Sequence, residues 1–134
     1  MPPPIDHECL HLEELLHTYA IEQLPPGDQL SVELLQQLTA PRDPKNPGFV
    51  SISQTHEEIS IVRQASDGEW RGLKIAGPMD FGIICNLTKP LQDAGVGVFV
   101  TSTWNTDYVL VKKQNWAKAR EALVADGWKF TEKS

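Results

Sequence analysis

His7-Glu8-Cys9-Leu10-His11 matches the H-E-x-x-H pattern letter for letter. In that pattern two imidazoles share one helical face and hold zinc, and the glutamate between them acts as base. The chemistry needs a helix, and here the run follows Pro2-Pro3-Pro4 with no helix of useful length before it. His17 and His56 are further imidazoles, but no spacing brings either to the motif. Cys85 is a candidate nucleophile, yet it falls in an apolar helical stretch and no histidine follows His56. A buried inert thiol is the simpler reading. Gly95-Val96-Gly97 lacks the rest of a dinucleotide fingerprint. Asn86-Leu87-Thr88 spells a glycosylation sequon, but inside a predicted helix of a chain that shows no apolar leader. With no nucleophile–base or metal constellation left, no catalytic residue, metal or cofactor is expected, and the chain is read as not an enzyme.

Composition narrows the partners. The formal charge is −6, from 12 basic and 18 acidic residues. Residues 1–67 carry 3 basic and 11 acidic groups, and residues 68–134 carry 9 and 7. A polyanion needs a basic face, so the acidic balance argues against nucleic acid. No aromatic RNP-type strand appears either. The charge asymmetry would suit docking of one half on the other, or simply two independently solvated surfaces. No run approaches the ~20 apolar residues that span a membrane. With two cysteines and no leader, a cytosolic, reducing setting with free thiols is expected. At 134 residues and 40% apolar content, the chain can bury one core or two small ones.

The elements that would position any site follow from periodicity. Tyr19 to Leu24 reads as a strand stopped by Pro25-Pro26-Gly27-Asp28. Ser31 caps a helix on which Val32, Leu35 and Leu38 recur at helical spacing. Prolines 41, 44 and 47 make a loop, after which Phe49–Ser53 and Ile59–Arg63 form a hairpin. Gln64 to Glu69 links the halves. In the second half Leu73 and Ile75 mark a strand, and Gly77-Pro78 ends it. Asp80 is a good N-cap for a helix striped by Ile83, Ile84, Leu87, Leu91 and Ala94. Pro90 should kink that helix, and Gly95 should end it. Val96–Thr103 and Tyr108–Lys112 are strands. Trp116, Ala119, Ala122 and Leu123 stripe a last helix, and Trp128-Lys129-Phe130 is a last strand. The right-handed crossover rule folds this βαββαβ order into a four-stranded antiparallel sheet with both helices on one face, an α+β, ferredoxin-like arrangement.

The first half looks like a shortened copy. Phe49–Val62 aligns without gaps on Val98–Val111 at an offset of 49, which lays Ser53 on Ser102, Glu58 on Asp107 and Val62 on Val111. Pro26-Gly27-Asp28 resembles Pro78-Met79-Asp80 upstream. Two matched landmarks in one order point to duplication, with the second helix and last strand of the first copy missing or rearranged. The expected division is a degenerate half over 1–66 and a complete unit over 67–134.

Gly77-Pro78-Met79-Asp80-Phe81, Leu91-Gln92-Asp93-Ala94-Gly95-Val96 and Ser102-Thr103-Trp104-Asn105-Thr106-Asp107-Tyr108-Val109-Leu110-Val111 together resemble the ACT-domain superfamily. More narrowly, the chain resembles small tandem-ACT proteins related to the aspartokinase regulatory region and to CASTOR-type arginine sensors. The resemblance is strong over 70–130 and loose over 19–63. It implies an ACT fold, pairing of ACT units as homodimers or higher homo-oligomers, no catalysis, and binding of a free amino acid at an ACT–ACT interface. A regulated enzyme is a further implied partner. Matched position by position, the family's ligand loop falls on Pro78, Met79, Asp80, Phe81, Gly82 and Ile83. The second contact region falls on Thr103, Trp104, Asn105, Thr106 and Asp107. A ligand-free assembly module of the same fold is the alternative.

Chemistry gives these positions roles. The helix start near Phe81 offers unpaired N–H groups to a ligand carboxylate, and Gly82 permits close backbone approach. Asp107 is the candidate for the ligand ammonium, and Trp104 for stacking on its side chain, worth ~0.5–2 kcal/mol if that side chain is cationic. Each has a plainer reading. Asp80 is an N-cap whose charge would oppose a carboxylate. Asp107 organises the turn. Trp104 anchors a dimer or fills the pocket, and Met79 caps it. Trp70, Trp116 and Trp128 are read as packing residues, and Glu58 as a solvated turn residue.

Overall fold

The structure is a computed structural model, and it describes residues 11–42, 48–75, 83–103 and 106–131. The chain divides into two units. One is His17–Glu69; the other joins the segment ending at Leu16 to everything from Trp70 onward.

The second unit carries the βαββαβ order, as strand β5 (Trp70–Ile75), helix α2 (Ile83–Asp93), strands β6 (Phe99–Ser102) and β7 (Asp107–Lys112), helix α3 (Trp116–Ala125) and strand β8 (Lys129–Thr131). Its sheet differs from the expected one. Strand β1 (His11–Glu14) lies antiparallel to β5 and parallel to β8, between them. The sheet is therefore five-stranded, β6-β7-β5-β1-β8, and not purely antiparallel. Periodicity misses β1 because its four residues offer one core side chain, the fully buried Leu12. Glu14 falls on the same face by strand alternation. It is matched there by Arg71, with Nη2–Oε2 at 2.6 Å, and by Arg120, with Nε–Oε1 at 3.9 Å. Arg71 also stacks on Trp116 at 5.1 Å, and Arg120 on Phe130 at 4.8 Å. These contacts clasp β1 into the sheet.

Both helices cover one face, as expected. Leu87 and Leu91 of α2 and Trp116, Ala119 and Leu123 of α3 pack on Leu12, Leu73, Ile75, Val109 and Val111. Pro90 does not interrupt α2, and its carbonyl accepts from the N–H of Ala94 at 3.1 Å. The two helices end by one device. Val96 N–H donates to Leu91 O and Gly95 N–H to Gln92 O; Trp128 N–H donates to Leu123 O and Gly127 N–H to Val124 O. These are Schellman closures, which need a left-handed residue, and Gly95 (φ 77°) and Gly127 (φ 102°) supply it. The residue after each glycine, Val96 or Trp128, is buried in the core.

The first unit runs β2 (Tyr19–Leu24), α1 (Val32–Thr39), β3 (Val50–Gln54) and β4 (Ile59–Gln64), with sheet order β3-β4-β2, all antiparallel. It is the βαββ portion of the same plan. Ser31 caps α1 as predicted, its Oγ accepting from Leu34 N–H at 3.1 Å. The expected apolar stripe, however, faces away from the core. Leu34 is buried, with Ile59 and Ile61 beneath it. Val32, Leu35 and Leu38 are 63%, 44% and 46% exposed. The cap fixes where the helix begins and hence its phase, and that phase directs Leu34 onto the sheet.

Strand register also corrects the repeat. Gln54 pairs Ile59, and Ser102 pairs Asp107. In one turn Thr55 N–H donates to Glu58 O; in the other Thr103 N–H donates to Thr106 O. These landmarks superpose at an offset of 48, not 49, so Ile59 corresponds to Asp107 and Glu58 to Thr106. Strand period is two, and a shift of one residue would exchange the core and outer faces. Only the even offset lays the helix-facing Ile59 and Ile61 on Asp107 and Val109.

Candidate functional site

Asp107 opens β7 and points to the helix-covered face, in line with the fully buried Val109 and Val111. It is 8% exposed, and its counterpart in the first unit is the core residue Ile59. A carboxylate thus stands where the other copy has an isoleucine. Its Oδ1 accepts a short hydrogen bond from Ser102 Oγ. The two residues face each other across a non-hydrogen-bonded pair, where side chains approach most closely. Among the described residues no Lys, Arg or His forms an ion pair with Asp107.

Thr106 is 3% exposed, and its Oγ1 donates to Ile75 O at 3.1 Å. Ile75 is the last residue of β5, from which the chain leads toward α2. This bond fastens the β6–β7 turn to the end of β5. The turn itself is closed by Thr103, whose N–H donates to Thr106 O at 2.9 Å while its Oγ1 accepts from Thr106 N–H at 3.3 Å.

Of the predicted contact residues, Thr103, Thr106 and Asp107 gather at this end of the sheet, and Ile83 is the first residue of α2. Pro78, Met79, Asp80, Phe81, Gly82, Trp104 and Asn105 lie outside the described residues. Sequence reasoning missed Ser102 as a site residue. Its signal was the strand pairing, since a polar side chain directly opposite an inward aspartate has an obvious partner.

Of the H-E-x-x-H run, His7, Glu8, Cys9 and Leu10 lie outside the described residues, and His11 belongs to strand β1. Among the described residues no group of three or more His, Cys, Asp or Glu could hold a metal ion, and no helix is long and apolar enough to cross a membrane. Trp116 and Trp128 are core residues. Trp70 packs edge-on against Phe99 at 6.4 Å. The first unit has a cleft of about 370 Å³ over β2 and β4 beside α1, bordered by Glu22, Arg63, Glu33 and Gln37 with Leu34 and Ile61 on its floor. An Arg63–Glu22 ion pair of 2.6 Å crosses it.

Residues 65–125 match the model of the ACT domain family. Curated proteins give no match. A crystal structure of a protein from Agrobacterium tumefaciens is similar, with 29% identity and a TM-score of 0.73, covering 90% of this chain and 91% of that one. A Vibrio cholerae protein described as of unknown function and a possible transport protein has 13% identity and a TM-score of 0.63, covering 90% and 94%. Aspartate kinase from Clostridium acetobutylicum, described as an allosteric enzyme, has 10% identity and a TM-score of 0.56, covering 86% of this chain and 33% of the kinase. The last two likenesses speak to the fold alone.

Proposed function

With residues 65–125 matching the ACT domain family on a ferredoxin-like fold, we propose that this chain is a non-catalytic regulatory module that binds a free amino acid or similar zwitterionic metabolite. The observation that carries the reading is Asp107. A carboxylate taken out of water must be met by opposite charge or by several hydrogen bonds. Ser102 supplies one bond, and a ligand ammonium would supply the charge. The ligand carboxylate would be received at the start of α2, because a helix N-terminus presents backbone N–H groups and a dipole that favour an anion. In this reading Thr103, Thr106 and Asp107 form one wall, and Met79, Asp80, Phe81, Gly82 and Ile83 with Trp104 and Asn105 complete it. A cytosolic setting, self-association through ACT edges and control of a partner enzyme belong to the same proposal.

The test is the melting temperature measured against a panel of free amino acids. A ligand at 100 times its dissociation constant should add ~2.7 kcal/mol of stability. Asp107→Ala should abolish the shift and keep the fold. If no amino acid shifts the melt, the ligand reading falls and the ligand-free assembly module takes its place.

A further inference from the structure

The two units share a plan but are roofed differently. In the second, α3 packs against α2 and β7, over the fully buried Leu73 and Val111. Strand pairing locates the equivalent floor in the first unit. Leu73 pairs Val109 there and Glu22 pairs Ile61 here, while the offset of 48 lays Arg63 on Val111. Two apolar residues beneath a helix are thus replaced by a glutamate and an arginine. The described residues of the first unit include no second helix to lie over them.

The cleft of about 370 Å³ is the space left open, floored by Leu24, Leu34 and Ile61. Helix α1 walls it lengthwise, with Ser31 at one end. Gln37 is at the other, where its Nε2 donates to Gln64 O at 3.3 Å. Arg63, the neighbour of Gln64, belongs to this second end. Its Nε donates to Glu22 Oε1 at 2.6 Å. Its two Nη groups have no partner among the described residues, and a third of the side chain is open to solvent. Glu33 stands one turn before Gln37, about 6 Å along the helix axis. It is exposed and forms no ion pair among the described residues. A guanidinium edge and a carboxylate therefore lie toward opposite ends of one apolar trough. Hydration of an uncovered sheet asks for polar residues, but not for that separation.

We infer that this cleft binds a short peptide of two or three residues with both termini free. The peptide carboxylate takes the Nη groups of Arg63, a planar fork that matches its two oxygens. The ammonium meets Glu33. Two residues of extended chain span about 7 Å, which suits one helical turn between the charges. A free α-amino acid carries both charges on one carbon and cannot reach both groups. An apolar peptide side chain lies on Leu24, Leu34 and Ile61. Ser31 Oγ already accepts from Leu34 N–H and keeps its own proton to donate to a peptide carbonyl. Glu22, Glu33 and Arg63 sum to −1, which accepts a zwitterion and disfavours a dianion. The volume sits at the small end of ligand sites, about 300–1,000 Å³. The cleft belongs to the first unit and shares no residue with the Asp107 site, so the two readings stand or fall separately.

The test is calorimetric titration of the full-length protein with glycyl-leucine and glycyl-leucyl-glycine. Both should bind, and the tripeptide acetylated at one end and amidated at the other should not. Arg63→Gln and Glu33→Gln should each weaken binding about tenfold or more, the loss of one charge-assisted contact. Both side chains reach solvent, so the thermal melt should stay cooperative; if Arg63→Gln unfolds, Glu33→Gln and the blocked peptides carry the test. The pairing is read directly by half-blocked peptides. The acetylated one should be indifferent to Glu33→Gln, and the amidated one to Arg63→Gln. Asp107→Ala should leave peptide binding unchanged. No binding of either peptide at millimolar concentration overturns the inference. So does binding that neither variant weakens, or binding that Asp107→Ala abolishes.

Discussion

Replacing Asp107 with valine should make the protein more stable and less useful. The position is a core position in the first unit, where Ile59 is 2% exposed. Burying a valine side chain there contributes about 1.5 kcal/mol. Removing a largely buried carboxylate recovers a desolvation penalty of about 1–3 kcal/mol, while losing the Ser102 bond costs about 1 kcal/mol. The balance is a gain of about 2 kcal/mol, or a melting temperature roughly 6 °C higher for a chain of this size. Asp107→Asn keeps an acceptor for Ser102 and should fall between. Differential scanning calorimetry without ligand, then with the amino-acid panel, reads both effects. The expected pattern is a raised melt and no ligand shift, the exchange of stability for function seen when a site residue is made apolar. A fall in stability would mean that Asp107 organises the turn. A retained ligand shift would mean that the ammonium is held elsewhere.

Three further perturbations follow from the fold. Gly95→Ala places a side chain at φ 77° with only Lys118 Nζ nearby at 3.9 Å, so the penalty is one of backbone, about 1 kcal/mol in chemical denaturation. Thr106→Val leaves Ile75 O without its donor and should cost about 1–2 kcal/mol; in the proposed reading it also weakens ligand binding, because it frees the turn from β5. Glu14→Gln deprives Arg71 and Arg120 of their counter-charge. The Arg71 side chain is 26% exposed and Glu14 is 12% exposed, so a discounted loss of about 2 kcal/mol is expected. Amide exchange should speed up first in β1.

The second unit was legible because its signals are local and strong. Leu87 and Leu91 lie at helical spacing, Gly95 and Gly127 mark helix ends, and Tyr108 to Lys112 is a run rich in β-branched and aromatic residues. Strand β1 was not, since one leucine among His11, Glu13 and Glu14 carries no periodic signal and its partners are distant in sequence. The α1 stripe misled for a related reason. Apolar residues at helical spacing announce a face that will be buried, but not whether the chain itself or another copy buries it. The repeat was found with its register off by one, because matching letters favours Ser53 on Ser102 whereas hydrogen bonding aligns Gln54 with Ser102. At the candidate site Asp107 and the turn threonines were named from the resemblance, and Ser102 emerged only from pairing across the strands.

The placing of β1 bears on how the chain is made. Thr131 Oγ1 donates to Leu12 O at 3.2 Å across 119 residues of sequence. A ribosome delivers β1 early, β5 much later and β8 later still, with the whole of His17–Glu69 emerging in between. That intervening unit closes within its own residues, its first strand pairing its last, and can order first. The second unit cannot complete its sheet until synthesis has passed Thr131. Until then β1, once docked on β5, presents an open edge on the side where β8 will lie. Shortening the chain before β8, or lengthening it in a way that delays the docking of β8, should therefore be felt as poor yield and chaperone dependence rather than as a lower melting point of the finished protein.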